Sequence, residues 1–452
     1  MKRLMILFSV VCLLTGCKMY KTYSRPDIKV DEQYRDVECA DTIAPLASFS
    51  WRELFVDKRL QILIEQGLAH NADLRIARLR VEEAETALTN ARLSYLPSVS
   101  LTSEGAVNRY GGNSVTHTYN LGISASWELD IFGKVTNAQR GARAALESTR
   151  AYQQAVQAEL VATIANSYFA LLLLDSQLSI NERTLDCWKK TISTLEALKK
   201  SGKSNDTAVL QAKANRMLLE TSVLSIRKNI CGMENALSVL LGMSPQRIER
   251  NSLSEMSFPE KFSTGVPLKL LSNRPDVRQA EYNLAQAFYA TNAARAAFYP
   301  SIVLSGVMGW TNNGGGVVIN PGKCLLNAIG GLTQPLFNKG TNRATLQIAK
   351  LRQEEATIFF QQKLLDAGKE VNDALIQWQI ARQRMEVEHG RIAMLREAVS
   401  KTELIMSHSS TTYLEVLTAQ QTLLDAELSE VQDMFDKIQG MVNLYHALGG
   451  GL

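Results

Sequence analysis

The chain says nearly the same thing twice, and this limits its fold more than any other feature. Asp73, Arg75, Ala77, Ala84, Ala91, Arg92, Pro97, Ser98 and Leu101 recur in order as Asp276, Arg278, Ala280, Ala287, Ala294, Arg295, Pro300, Ser301 and Leu304, at a constant offset of 203 positions. Further on the echo persists at a slightly larger offset. Ile131-Phe132 answers Leu336-Phe337, and Val209-Leu210-Gln211-Ala212 answers Val416-Leu417-Thr418-Ala419. Each copy runs from a helical pattern through a proline into an alternating pattern. A period this long is not that of a short solenoid repeat. It is one large structural unit duplicated within 452 residues.

Leu60 to Leu96, rich in Ala, Leu, Arg and Glu, predicts a helix that Pro97 ends. From Ser98 to Asn108 the pattern alternates. Val99, Leu101, Gly105 and Val107 share one face, and Ser98, Ser100, Thr102, Glu104 and Asn108 the other. After a turn at Gly111-Gly112-Asn113, Tyr119, Leu121, Ile123, Ala125 and Trp127 oppose Asn120, Gly122, Ser124, Ser126 and Glu128. Two such strands of roughly ten residues suit a transmembrane barrel, apolar toward lipid and polar toward a lumen. A water-soluble hairpin carries the same alternation. Trp127 and Trp310 fit an interfacial girdle or packing at a helix–strand joint.

Lys134 to Ser201 contains no proline and, apart from Gly141, no internal glycine. Val156, Leu160, Ile164, Tyr168, Leu171, Leu174 and Leu178 mark one helical face. Such a helix would be about 100 Å long, where ordinary helices average about 11 to 12 residues, so it belongs to a long bundle. Ser201 to Asp206 breaks it, and a helix of roughly 50 Å returns from Thr207 to Leu241. Residues 242–272, with Pro245, Pro259 and Pro267, read as a joint. The second copy then predicts a helix over Pro275 to Tyr299, strands over Ser301 to Thr311 and Cys324 to Gln334, a long helix over Lys339 to Ser407 and a last helix over Thr411 to Leu448. Four strands cannot close a barrel in lipid, where open edges are forbidden. Copies must combine: two give eight strands, three give twelve and leave a lumen.

Lys2 and Arg3 followed by the apolar Leu4 to Leu14 form a secretory signal. Leu14-Thr15-Gly16-Cys17 reads as a bacterial lipobox, with 1–16 removed and Cys17 lipidated; the other reading is an ordinary signal with an incidental cysteine. More than one acyl chain gives stable anchoring, at roughly 0.8 kcal/mol per buried methylene. The chain thus divides into a signal (1–16), a lipidated extended arm (17–58), a first repeat (59–241), a joint (242–272) and a second repeat (273–452).

Net charge is +4 and Lys and Arg form no stripe, so nucleic-acid binding has no electrostatic footprint. No mature segment has 18 uninterrupted apolar residues, so no transmembrane helix is expected. Cys39, Cys187, Cys231 and Cys324 show no metal spacing. Cys187 and Cys231 flank the predicted helical hairpin with a mismatch of about 15 Å, beyond disulfide reach. All four read as buried or incidental thiols. His70, His117, His389, His408 and His446 are scattered without ligand spacing, and no metal or cofactor is expected. Nucleophile elbow, phosphate loop, dinucleotide fingerprint and CxxC are absent from the sequence, which offers no catalytic constellation.

The lipobox is followed by Tyr23-Ser24-Arg25-Pro26, Trp51-Arg52-Glu53-Leu54-Phe55, Asn71-Ala72-Asp73-Leu74 and Leu96-Pro97-Ser98. Then come Trp127-Glu128-Leu129-Asp130-Ile131-Phe132-Gly133, Arg274-Pro275-Asp276-Val277-Arg278, Gln334-Pro335-Leu336-Phe337 and Tyr413-Leu414-Glu415-Val416-Leu417-Thr418-Ala419-Gln420. Together and in order, these resemble the TolC-like outer-membrane efflux proteins, in their lipoprotein (OprM/NodT-type) branch. The resemblance implies a mainly α fold with a membrane β-barrel: a homotrimer with a twelve-strand barrel and a twelve-helix periplasmic tunnel. It implies a passive exit duct for small toxic molecules or drugs, joined through a periplasmic adaptor to an inner-membrane pump of the resistance-nodulation-division class. It also implies that the helix breaks form a periplasmic tip, with Gly202, Ser204, Ser409 and Tyr413 toward the adaptor.

The family's second tip often carries two acidic positions; this sequence matches the first with Glu415 but has Thr418 at the second. The basic residue of an inter-helix lock in some members corresponds to Thr411, and its partner region offers Ala208. The expected gate therefore rests on packing and polar contacts around Thr411, Glu415, Thr418 and Asp206. Glu415 also reads as a solvated helix-start carboxylate. Two other functions share some of these features: a duct for ATP-driven peptide or protein secretion, and a non-conducting lipid-anchored helical scaffold. The alternating strands oppose the scaffold.

Overall fold

Pro97 and Pro300 each stand immediately before a strand, as the repeat predicts. The computed structural model describes residues 20–26, 50–109, 111, 115–202, 204–256, 274–311, 323–408 and 413–450. The signal segment, Cys17, Cys39, Ser409 and Thr411 lie outside these residues. In chain order the elements are α1 (Trp51–Leu54), α2 (Lys58–His70), α3 (Ala72–Leu93), β1 (Ser98–Asn108), β2 (Thr116–Leu129), α4 (Lys134–Lys200) and α5 (Asp206–Leu240). They continue as α6 (Pro275–Ala296), β3 (Ser301–Thr311), β4 (Lys323–Thr333), α7 (Thr341–His408) and α8 (Tyr413–Ala447). The two long helices have 67 and 68 residues, about 100 Å each.

One expected helix is two. The pattern over Leu60 to Leu96 is interrupted at Asn71, which closes α2 and caps α3. Its Oδ1 accepts from the Leu74 amide at 3.0 Å, and its Nδ2 donates to the Leu240 carbonyl at 2.9 Å. Asparagine suits this position because its side chain satisfies amides that a helix start leaves without partners. The second copy repeats the joint with a different side chain. Arg274, at the position answering Asn71, donates to the Ala447 carbonyl at 2.9 Å. In both copies the residue before the shorter helix ties off the end of the returning helix.

The chain forms two compact units. One takes Met1–Lys29, Leu79–Ala151 and Arg278–Gln362, and the other Val30–Arg78, Tyr152–Val277 and Lys363–Leu452. Each unit therefore draws on both copies, because α4 and α7 are too long to belong to one. The first unit carries a four-stranded antiparallel sheet in the order β1-β2-β3-β4. β2 and β3, one from each copy, are hydrogen-bonded neighbours, with Gly122 opposite Gly309. Glycine is required at 309: a Cβ there would lie 2.2 Å from the Leu121 carbonyl oxygen.

The second unit is helical. Phe55, Ile164, Tyr168, Phe169 and Leu171 are fully buried in it. The Tyr168 hydroxyl donates to Asp57 at 2.5 Å and accepts from the Asn251 amide at 3.2 Å. An apolar stretch of α4 could cross a membrane by length and composition, but 61 % of it is buried, as in the core helix of a bundle. Cys187 and Cys231 are free thiols and both are exposed rather than buried.

Candidate functional site

The sheet has two chemically different faces, and its register fixes them. Ala125 stands opposite Val99 and Ile123 opposite Leu101; Trp127 faces Leu304, Ile123 faces Met308 and Leu121 faces Trp310. Met308 continues to Leu326 and Ile302 to Leu332. One face is thus predominantly apolar across all four strands, with Ser103, opposite Leu121, a hydroxyl within it. It is also uncovered: Leu101 is 74 % and Leu326 78 % exposed. The other face is rich in hydroxyls, with Ser100 and Ser124 2.7 Å apart and Thr311 donating to Asn120 at 2.6 Å. Water would not tolerate so large an apolar field, whereas hydrocarbon requires it.

Trp127 and Trp310 share the apolar face at opposite ends of the sheet. Trp310 pairs with Leu121, six residues from Trp127, a separation of about 20 Å along the strand. Trp127 is 39 % exposed and donates through Nε1 to the Tyr95 carbonyl at 2.9 Å. Its indole is thus hydrogen-bonded at the helix–strand joint while its ring stays partly exposed on the apolar face.

Within the second unit, α4 turns into α5. Gly202 adopts a left-handed conformation (φ +74), Asn205 caps Ala208 at 2.9 Å, and Lys199 pairs with Asp206 at 2.6 Å. Ser204 is half-buried and Gly202 exposed. Below the turn, Trp188, Ile192, Leu195, Val209, Ala212, Val416 and Leu417 form an apolar cluster, with Tyr413 partly buried against it. Glu415 and Thr418 are exposed. Helical periodicity explains this, because Val416, Leu417, Gln420 and Leu424 take the inward positions of α8. Asp206, Glu415 and Thr418 are not drawn into one polar set among the described residues, since Asp206 is spent on Lys199.

The polar contacts that do join these helices were missed by sequence reasoning. Glu427 is 6 % exposed, and its two carboxylate oxygens accept from different helices: Oε2 from Arg183 of α4, and Oε1 from Arg396 of α7 at 2.9 Å. Seven residues toward the turn, Gln420 donates to Thr191 of α4 at 3.0 Å and to Glu403 of α7 at 2.8 Å. On the same helix Asp433 is fully buried and ion-paired with Arg384 at 2.9 Å. Burial pushes its carboxyl above the usual range, and the Arg384 guanidinium only partly offsets this. The available signal was polar residues at heptad spacing on an otherwise apolar face of α8.

An apolar-faced sheet joined to helices of this length defines an outer-membrane channel component. The chain belongs to the outer membrane efflux protein family, which it matches over residues 63–243 and 266–450, one stretch for each copy of the repeat. It is 31 % identical to the cation efflux system protein CusC of Escherichia coli O6:H1, over 98 % of each chain. It is 28 % identical to the solvent efflux pump outer membrane protein SrpC of Pseudomonas putida, covering 97 % of this chain and 96 % of that one. Among solved structures, the open state of the Neisseria gonorrhoeae MtrE outer membrane channel superimposes with a TM-score of 0.87 at 28 % identity, covering 96 % of this chain and 99 % of that one. The protein is an outer-membrane efflux duct component.

Proposed function

We infer that three copies of the chain assemble into the exit duct of a tripartite system, receiving small toxic solutes from an inner-membrane pump of the resistance-nodulation-division class through a periplasmic adaptor. The observation that carries this reading is the sheet with one lipid-compatible face and two edges, β1 and β4, that have no strand partner among the described residues and must be closed by further strands in lipid. Two helical stripes support self-assembly. Leu210, Met217 and Leu224 of α5, and Ile380, Val387 and Met394 of α7, are all exposed and recur at heptad spacing, the pattern of helices that supercoil against a partner. SrpC serves solvent efflux and CusC cation efflux, so relatives on this scaffold differ in cargo. The range here is small toxic molecules, cations included.

The arm supports lipidation at Cys17. Tyr20 lies at the β2–α4 joint, with its ring 3.5 Å from where a Gly133 Cβ would stand. Tyr23 packs edge-on against Phe288 at 5.8 Å, and Arg25 reaches Glu281 at 3.6 Å. The arm therefore runs along α6 with its start beside the sheet. Cys17 stands three residues before Tyr20 in the sequence, a separation of at most about 10 Å of extended chain.

The adaptor contact is assigned to the α4–α5 turn and the start of α8. Because Tyr413 packs inward, the exposed Leu414 and Gly202 are the better positions for a photo-reactive residue in the native envelope. Capture of an adaptor from a proton-driven pump is the expected result. Capture of an ATP-driven exporter's adaptor would move the cargo to a peptide or protein, and capture of no envelope protein would reopen the scaffold reading.

A further inference from the structure

Four chain segments join the sheet to its helices, and they are basic. The ten residues on the helical side of each strand hold Arg92, Lys134, Arg295, Lys339 and Arg343 against one acid, Asp130. Asp130 is committed to the start of α4, accepting from the Val135 and Thr136 amides at 2.8 and 2.7 Å, and Lys134 pairs with Glu128 at 2.8 Å. Arg92, Arg295, Lys339 and Arg343 are exposed and have no carboxylate partner among the described residues. Surface cations of the helical unit commonly do, as in Arg52–Glu65, Lys213–Glu196 and Arg227–Glu182. Helix stability does not account for the difference. Arg92 and Arg295 lie in the last turns of α3 and α6, where the helix dipole favours a cation, but Lys339 and Arg343 stand at the start of α7, where it disfavours one. The first turn of α7 holds no acid, and Lys339 keeps a left-handed backbone (φ +56) better suited to glycine.

We propose that these cations form a rim that binds the headgroups of anionic phospholipid in the periplasmic leaflet of the outer membrane. The apolar sheet face takes the acyl chains, and the rim, at the helical end of the same strands, takes the phosphates. The β2–β3 joint gives the direction. Phe132 stacks on Tyr299 at 5.2 Å, Tyr20 of the arm lies beside Gly133, and Arg295 is within electrostatic reach of the Tyr20 hydroxyl. Arg295 continues a heptad row on α6, Glu281 and Phe288, that Arg25 and Tyr23 cover. It therefore shares the arm's side of α6, the side on which acyl chains on Cys17 would enter lipid, and the exposed Lys21 adds charge there. Arg92 is its counterpart in the first copy. The proposal rests on the lipidation reading for its direction and is indifferent to the cargo.

The test is native mass spectrometry of the full mature protein, titrated with phosphatidylglycerol or with zwitterionic phosphatidylethanolamine of the same acyl chains. Each cation near an anionic surface contributes roughly five-fold in binding, so the parent is expected to hold phosphatidylglycerol about ten-fold or more tighter. Arg92→Gln/Arg295→Gln/Lys339→Gly should abolish this preference at close to the parent's melting temperature, since all three side chains are exposed and glycine suits the backbone at 339. Lys339→Gly alone removes one charge without backbone cost and should reduce the preference partway. Arg227→Gln, in the helical unit, should keep it. A parent without the preference, or a triple variant that retains it, would overturn the rim. So would its loss in inorganic phosphate when chloride of equal ionic strength preserves it, which would mark a site for free anions. Acyl mass is read in the same spectra: its absence with the preference intact would sink the lipidation reading and keep the rim.

Discussion

Arg274 shows how much one residue can hold at the joint between the copies. It is 3 % exposed, and its guanidinium bonds Asp276 through two nitrogens, Glu370 at 2.6 Å and the Ala447 carbonyl at 2.9 Å. Burial works to raise the Asp276 carboxyl, but the bonds from Arg274 hold it below the usual carboxylate range. Without Arg274 the Ala447 carbonyl loses its partner and a buried side chain its packing, at a cost of about 1–3 kcal/mol, while Asp276 and Glu370, 30 % and 47 % exposed, partly rehydrate. Arg274→Ala is accordingly expected to lower the denaturation midpoint strongly, read by chemical unfolding in detergent. Asp433 has the opposite sign. Its folded-state carboxyl is raised, so the native state takes up a proton before the unfolded chain does, and this contribution grows as pH falls through the folded value toward the ordinary aspartate range. Asp433→Asn should therefore be no less stable than the parent at neutral pH, because Arg384 is 56 % exposed and can rehydrate. The variant should also lack the parent's relative gain on acidification. Melts between pH 4 and 7 check both parts, and a large loss at pH 7 would contradict the sign. Asp276 was legible as part of a motif, and Asp433 was not, because a lone acidic residue in a helix gives no sign of burial until its neighbours are placed.

Among the elements, the strands were more legible than the helices. Alternation in β1 and β2 assigned the two faces before any pairing was known, and the register of β3 and β4 extended them. Ile123 and Ser124 are adjacent yet lie on opposite faces. Ile123→Arg places a charge on the lipid face, at a cost of about 2–4 kcal/mol near the bilayer midplane, and should abolish heat-resistant assembly in the outer membrane. Ser124→Arg faces the polar side and should assemble. Equal behaviour of the two variants would refute the face assignment. Helix boundaries were harder to read. Asn71 looked like an ordinary interior position because the apolar pattern runs on through it; its role depends on the Leu240 carbonyl, which is 169 residues away. Gly440 was equally silent. A Cβ there would sit 2.8 Å from the Trp378 backbone nitrogen, so the α7–α8 approach depends on a glycine whose partner the sequence does not reveal. Gly440→Ala should destabilise by about 1–3 kcal/mol through overpacking, seen as a lowered melting temperature.

For the whole molecule, the α5 and α7 stripes bear on assembly. Charge introduced into an apolar heptad seam is poorly tolerated. Met217→Lys or Val387→Glu should therefore shift the protein from trimer toward monomer in native mass spectrometry, while Ser222→Lys, outside the stripe, should not. A trimer unaffected by both seam variants would place the contact elsewhere. Cys17→Ser should remove the acyl mass from the mature chain and leave the barrel in the membrane, since closed strands hold it there independently of the anchor.

The sequence by itself determined the duplication, the order of elements, the lengths of α4 and α7 and the two faces of the first hairpin. These follow from local periodicity, proline placement and internal comparison, all of which are properties of neighbouring residues. Tertiary structure alone decided the division into two units that cut across the repeat, the break at Asn71, the inward turn of Tyr413 and the burial of Gln420, Glu427 and Asp433. Those depend on which distant helix faces a given position. Two copies of one pattern can bury a carboxylate in one hairpin and leave its counterpart in water, because burial is decided by the neighbours a fold supplies and not by the residue itself.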